Sequence, residues 1–159
     1  MIPEPLAPAP GGILAYVDED GTYDHVLRVG RTLARETGSA LILFEAGSPP
    51  PAGSLGLGFG DLPLAPEDLL RLDRPALAEA VFRARDEGID AWGWTAGPDD
   101  PDALTSCARE VDASVIVLPA EIETGSLPER WRDDRLEIAE DGSVSLVIVD
   151  RAGHLVGPA

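Results

Sequence analysis

Lysine is absent from this chain of 159 residues, which also has only one cysteine and two histidines. Without lysine the chain has neither a Schiff-base nucleophile nor the lysine of a phosphate-binding P-loop. A single cysteine excludes a disulfide within the chain and a zinc site built on several cysteines. No stretch comes near the roughly 20 apolar residues that span a bilayer. These absences remove several classes of enzyme, secreted module and membrane protein.

Basic residues are also scarce: 29 acidic residues stand against 12 arginines, giving a net charge of −17 and an isoelectric point near 4.2. A field of this sign repels phosphate backbones and anionic lipids, so we expect no nucleic-acid partner and no membrane partner. The exclusive use of arginine is typical of a GC-rich genome, and a salt-adapted cytoplasm is the alternative. The Pro-rich N-terminal segment has no basic residue, unlike a signal or transit peptide. We therefore expect a cytoplasmic protein.

Few side chains could carry chemistry. Cys107 lies on the apolar stripe of a predicted helix, which is typical of a buried structural thiol. His25 and His154 have no second ligand or nucleophile at a useful spacing, and we expect both to be solvated. The spaced glycines of residues 56–60 have neither the spacing nor the strand-to-helix position of a dinucleotide fingerprint. The sequence thus predicts no catalytic residue and no metal site.

Hydrophobic periodicity divides the chain into short apolar runs that alternate with amphipathic segments. The predicted strands cover residues 13–17, 40–44, 91–95, 114–118 and 143–149. The predicted helices cover 23–37, 66–87 in two pieces separated at Pro75, 99–112 and 127–138. Residues 1–11 form a disordered Pro-rich tail, 12–150 a single domain and 151–159 a C-terminal tail. Within the domain, Gly- and Pro-rich residues 47–66 predict a flexible loop, with a lid over a ligand as the alternative.

This order of elements predicts an α/β fold, an open and mainly parallel five-stranded sheet with helices on both faces. The two tryptophans of strand 91–95 share one face of the sheet, and we expect a helix to cover them. Such sheets bind ligands outside the carboxyl ends of their strands, where the strand order reverses. The segments that reach this edge are 18–21, 45–47, 95–97 and 119–126. We expect any binding site among them.

Several segments, taken in order, resemble those of a known family. They are the first strand ending in Val17-Asp18, the variable loop before the second helix, Arg85-Asp86-Glu87-Gly88-Ile89, the approach 113–118 to the fourth strand, and Gly125-Ser126-Leu127-Pro128-Glu129-Arg130. Over roughly residues 12–150 the chain resembles the universal stress protein family. The resemblance implies a Rossmann-like fold of the adenine nucleotide alpha hydrolase type.

The resemblance also implies a cytoplasmic, stress-associated homodimer. In the branch of the family that binds ATP, the phosphates lie on a G-x2-G-x9-G-[ST] loop after the fourth strand. The acidic residue that ends the first strand helps to hold the nucleoside. Carried over to this sequence, the resemblance implies Asp18 as the nucleoside contact and Gly125 and Ser126 as the phosphate contacts.

The sequence departs from this pattern in the phosphate loop. Only residues 119–124 separate the fourth strand from Gly125, and they contain no glycine. Glu121 and Glu123 add negative charge beside Asp18 and Glu45, and carboxylates there would repel a triphosphate. We therefore expect a non-catalytic binding or regulatory protein without stable ATP. The alternatives are a member that binds ATP with Mg²⁺ through Asp18, Gly125 and Ser126, and an enzyme with weak ATPase or alpha-hydrolase-like activity.

The last predicted strand, residues 143–149, is rich in β-branched residues and would lie at an edge of the sheet. An apolar edge without proline or inward charge favours pairing with another strand. We expect an antiparallel homodimer through this strand. The sequence leaves the identity of any other protein partner open.

Overall fold

A computed structural model describes residues 11–17, 24–45, 63–95, 103–120, 145–150, 152 and 155–158. Its helices and strands, in chain order, are β1 (Ile13–Val17), α1 (Asp24–Thr37), β2 (Leu41–Glu45), α2 (Pro66–Arg71), α3 (Pro75–Asp86), β3 (Ala91–Thr95), α4 (Ala103–Glu110), β4 (Val115–Pro119), β5 (Ser145–Val149) and β6 (Leu155–Pro158). The five predicted strands are confirmed to within two residues at each end. The predicted helix at 127–138, the predicted start of the third helix at 99–101 and residues 143–144 lie outside the described residues.

The described strands form one sheet in the order β3-β2-β1-β4-β5-β6. β1 to β5 are parallel to one another, as predicted, and β6 is antiparallel to β5. The chain adds β2 and β3 on one side of β1, and then crosses to the other side for β4 and β5. The strand order therefore reverses between β1 and β4, which is where parallel sheets of this kind form a crevice.

Helices cover both faces of the sheet. Connections between parallel strands are right-handed, so the helices that lead from β1 to β3 lie on one face and the helix that leads back from β3 to β4 lies on the other. α1 packs on β1 and β4, and α3 packs on β3. On the other face, Leu104, Cys107 and Ala108 of α4 belong to the same buried cluster as Trp92 and Trp94, so both tryptophans are covered as expected. Cys107 is fully buried in this layer, as predicted. Burial, with a smaller contribution from the charge of Glu110, raises the pKa of its thiol well above the usual value.

Glycine and proline end the helices where the sequence predicts. Gly38 and Gly88 follow α1 and α3 with φ of +69° and +86°, the left-handed conformation that glycine adopts without strain. Pro75 begins α3 and so separates it from α2. Within the described residues, no helix has both the length and the apolar character needed to cross a bilayer.

Both ends of the sheet differ from the sequence-based expectation. β6 lies in the segment 151–159, which we expected to be a tail, and it pairs with the outer side of β5. The prediction that strand 143–149 forms the sheet edge is therefore wrong. At the opposite end, Leu64 belongs to the predicted loop 47–66, yet it is buried and exchanges two backbone hydrogen bonds with Gly93 of β3. Residues 47–62 of that loop lie outside the described residues.

Candidate functional site

The carboxyl ends of four parallel strands meet along one edge of the sheet. Their last residues are Val17 of β1, Glu45 of β2, Thr95 of β3 and Pro119 of β4. Val17, Glu45 and Thr95 are partners in the strand register, so they lie side by side across three strands. Side chains at paired positions of parallel strands point to the same face of the sheet. This row therefore faces the layer formed by α1, α2 and α3.

Asp18, Gly125 and Ser126, the predicted nucleotide contacts, lie outside the described residues, as do Glu121 and Glu123. The strand ends fix where their segments start. Asp18 directly follows Val17, at the end of the strand that borders the reversal point. Because β4 extends to Pro119, only the five residues 120–124 separate it from Gly125, one fewer than the sequence predicts.

A buried ion pair lies at this edge. The side chain of Glu45 is only 1% exposed and that of Arg74 only 12%, and Arg74 Nε lies 3.0 Å from Glu45 Oε1. A buried carboxylate requires such a partner, because its transfer from water without compensation is very unfavourable. Glu45 therefore does not add an uncompensated negative charge to the crevice, contrary to what its position in the sequence indicates.

Arg74 reaches the edge because of the turn between α2 and α3. It is the N-cap residue of α3, and its Nη1 donates to the backbone carbonyl of Asp73 at 3.1 Å. Asp73 has a φ of +59°, which turns the chain sharply before Pro75. Sequence analysis did not identify Arg74 as a site residue. The available signal was an arginine directly before a helix-starting proline, since α3, the helix that leads back to the start of β3, begins near the carboxyl edge.

Thr95 places a hydroxyl next to this pair. Its side chain is fully buried, and its Oγ1 has no hydrogen-bond partner in the described part of the chain. A hydroxyl both donates and accepts, so it suits a polar atom of a ligand as well as water. Among the described residues, no group of three or more His, Cys, Asp or Glu side chains is arranged to hold a metal ion.

Solved structures share this architecture. The universal stress protein from Archaeoglobus fulgidus superposes with a TM-score of 0.54 at 22% identity, over 87% of this chain and 91% of that chain. A universal stress family protein from Burkholderia pseudomallei gives 0.53 at 18% identity, over 87% and 95%. A universal stress protein in complex with cAMP gives 0.50 at 21% identity, over 89% and 98%. The fold is that of the universal stress proteins.

The likeness to universal stress proteins is one of structure. No protein-family model matches the chain, and no curated protein does. The universal stress fold agrees with the resemblance based on Val17-Asp18 and Gly125-Ser126. Among the matching structures, the Archaeoglobus fulgidus protein has also been solved with dAMP.

His25 occupies an unexpected environment within the universal stress fold. It is only 4% exposed, which corrects the prediction of a solvated histidine. It is the second residue of α1, and the 100° spacing of helical residues places it on the flank opposite Leu27 and Arg31. Those two residues line the side of α1 that faces α3. Because α1 also contacts β4 and β5, its other flank is covered. His154 lies outside the described residues.

Proposed function

We propose that this chain is a non-catalytic, dimeric regulatory binding protein of the universal stress type that does not hold ATP stably. The observation that carries the proposal is the pairing of Arg74 with Glu45. In the described part of the chain, Arg74 is the arginine that reaches the carboxyl edge, and its charge is already compensated there. A triphosphate at this edge would have to compete with a buried carboxylate for it.

The surrounding charge supports the same proposal. The sequence places Asp18, Glu19 and Asp20 after β1 and Glu121 and Glu123 after β4. Like charges about 4 Å apart repel by roughly 1 kcal/mol in water and by about 4 kcal/mol at the effective dielectric of a protein surface. The net charge of −17 adds long-range repulsion of a polyanion.

The segment after β4 supports it as well. Phosphates bind where consecutive backbone N–H groups converge, and glycine allows the backbone to approach them closely. Residues 120–124 contain no glycine. With five residues before Gly125, this segment is too short to supply the two earlier glycines of the family's phosphate loop.

The alternative is a nucleotide-binding protein that uses Asp18, Gly125 and Ser126 with Mg²⁺ between the carboxylates and the phosphates. The solved structures with dAMP and cAMP favour it, because both ligands are adenine nucleotides bound by proteins of this fold. A monophosphate also carries less charge than ATP and needs fewer backbone donors.

Thermal unfolding distinguishes the two. A ligand that binds only the native state raises its stability, so we expect the melting temperature to be the same with and without millimolar Mg·ATP. Mg²⁺ alone is the control for metal binding, and cAMP tests the monophosphate. A rise of several degrees with Mg·ATP that is lost in Asp18→Asn would contradict the proposal and assign ATP to the crevice.

The dimer is a separate expectation. The outer side of β5 is occupied by β6, so pairing through residues 143–149 requires β6 to move away from β5. We expect light scattering at tens of micromolar to give twice the chain mass of 16.7 kDa, and a monomeric mass would count against the dimer. Removing residues 151–159 locates the interface: the dimer persists if it uses residues 143–149, and is lost if it uses the outer edge of β6.

A further inference from the structure

A groove of about 400 Å³ lies between α1 and α3, on the side of these helices that faces away from the sheet. Its apolar lining consists of Leu27, Ala76 and Ala80. The alanines are small and leave space between the helices, and the volume falls within the range of about 300–1,000 Å³ typical of small-molecule sites. The groove is lined by α1 and α3 rather than by the strand ends of the crevice.

The charged residues of the groove are of two kinds. Arg83 Nη2 pairs with Glu79 at 2.7 Å, and Arg31 Nη2 pairs with Glu87 at 2.6 Å. Asp24 and Arg28 form no such pair, with each other or with any described residue. Eight arginines lie in the described part of the chain, and Arg28 is the one whose side chain makes no hydrogen bond, ion pair or ring contact there. This is notable in a chain with so many carboxylates.

The two unpaired charges lie one helical turn apart on α1. Four residues correspond to about 6 Å along a helix axis. A pair at this spacing on an exposed helix contributes only about 0.3–0.5 kcal/mol, so a ligand competes with it easily. A molecule that carries an ammonium and a carboxylate group matches Asp24 and Arg28 together. Because such a zwitterion has no net charge, the overall charge of −17 does not repel it.

We propose that this groove binds an apolar α-amino acid. Asp24 accepts hydrogen bonds from the ammonium group, Arg28 donates to the carboxylate, and the ligand side chain lies over Leu27, Ala76 and Ala80. Arg31 and Arg83 flank the site, and the charge of each is compensated by its glutamate partner, Glu87 and Glu79 respectively. This inference goes beyond the proposed function and does not depend on the crevice.

The test uses the full chain and three probes, observed by saturation-transfer NMR. L-leucine carries both charges, N-acetyl-L-leucine lacks the ammonium and L-leucinamide lacks the carboxylate. We expect L-leucine to saturate at or below about 10 mM and each analogue to bind at least tenfold more weakly. Binding by N-acetyl-L-leucine as tight as by L-leucine would overturn the proposal and indicate a simple anion site.

Variants assign the binding to the groove. Arg28→Gln and Asp24→Asn each remove one of the two charges, and Ala76→Leu fills the groove while both charges stay. All three variants should bind L-leucine at least tenfold more weakly than the unchanged chain. Arg71→Gln is the matched control, because Arg71 is an exposed arginine of α2 that pairs with Asp68 and does not line the groove. The absence of L-leucine binding, or unchanged binding to Arg28→Gln, would refute the proposal.

Discussion

Replacing Arg74 with alanine is expected to lower the free energy of unfolding by about 3–5 kcal/mol, because the change leaves the Glu45 carboxylate buried without its partner. Glu45 is almost completely inaccessible to water. The same substitution removes the hydrogen bonds from Arg74 Nη1 to the carbonyls of Leu72 and Asp73, which hold the turn before α3. Urea unfolding at neutral pH measures the change, with the denaturant slope checked for constancy.

An exposed pair provides the matched control. Arg83 and Glu79 lie 2.7 Å apart on α3 with side chains that are 69% and 61% exposed. Exposed pairs of this kind contribute between about 0 and 1 kcal/mol, since water solvates both charges. Arg83→Ala should therefore change stability far less than Arg74→Ala, although the N–O distances of the two ion pairs are similar. Burial, and not distance, sets the difference.

A double variant separates the net contribution of the ion pair to stability from the loss of stability when only one of its charges is removed. Glu45→Met with Arg74→Met removes both charges and leaves apolar side chains in their place. Replacing a buried ion pair by apolar groups is often neutral or stabilising, so the double variant should be more stable than either single one. If Arg74→Ala costs no more than Arg83→Ala, the pair is solvated in the folded protein. The charge of Arg74 would then be available to a phosphate at the carboxyl edge, which contradicts the proposed function.

The parallel core of the fold could be predicted from the sequence because its signals are local. Apolar runs such as 13–17 and 91–95 are long enough for a strand covered on both faces, and Gly38 and Gly88 end the intervening helices. β6 could not be predicted in this way. It has four residues, Leu155–Pro158, of which two are glycine and proline, and such a composition normally indicates a turn or a tail.

For the candidate site at the carboxyl edge, the sequence predicts the location but not the contacts between its side chains. The rule that ligands bind at strand ends identified Glu45 and Thr95 as residues of this edge, because it depends on topology alone. The ion pair with Arg74 joins residues 29 positions apart in the sequence, and no local pattern reports such a contact. The burial of His25 could not be predicted for the same reason. The amphipathic pattern of α1 places His25 on a flank that should be exposed, but contacts of α1 with β4 and β5 bury that flank.

Trp94→Ala is expected to destabilise the protein by about 3–5 kcal/mol, the usual range for truncating a large buried aromatic residue. Trp94 is among the largest fully buried side chains and belongs to the cluster that α4 covers. Its indole Nε1 has no hydrogen-bond partner in the described part of the chain. Trp94→Phe keeps most of the apolar contact and removes an unsatisfied donor, so it should cost much less than Trp94→Ala.

Trp92 is the matched comparison for Trp94, because its indole N–H does have a hydrogen-bond partner. Its Nε1 donates to Asp90 Oδ1 at 2.8 Å, and the guanidinium of Arg85 lies 4.7 Å from the centre of its ring. Trp92→Phe loses the hydrogen bond and weakens the cation–π contact. Urea unfolding should therefore show a larger loss for Trp92→Phe than for Trp94→Phe, although Trp94 is the more deeply buried of the two. The reverse order would mean that the Trp94 N–H has a partner in solution. Because Trp94 directly precedes Thr95 at the carboxyl edge, an ordered water or a ligand at that edge would then be the partner to identify.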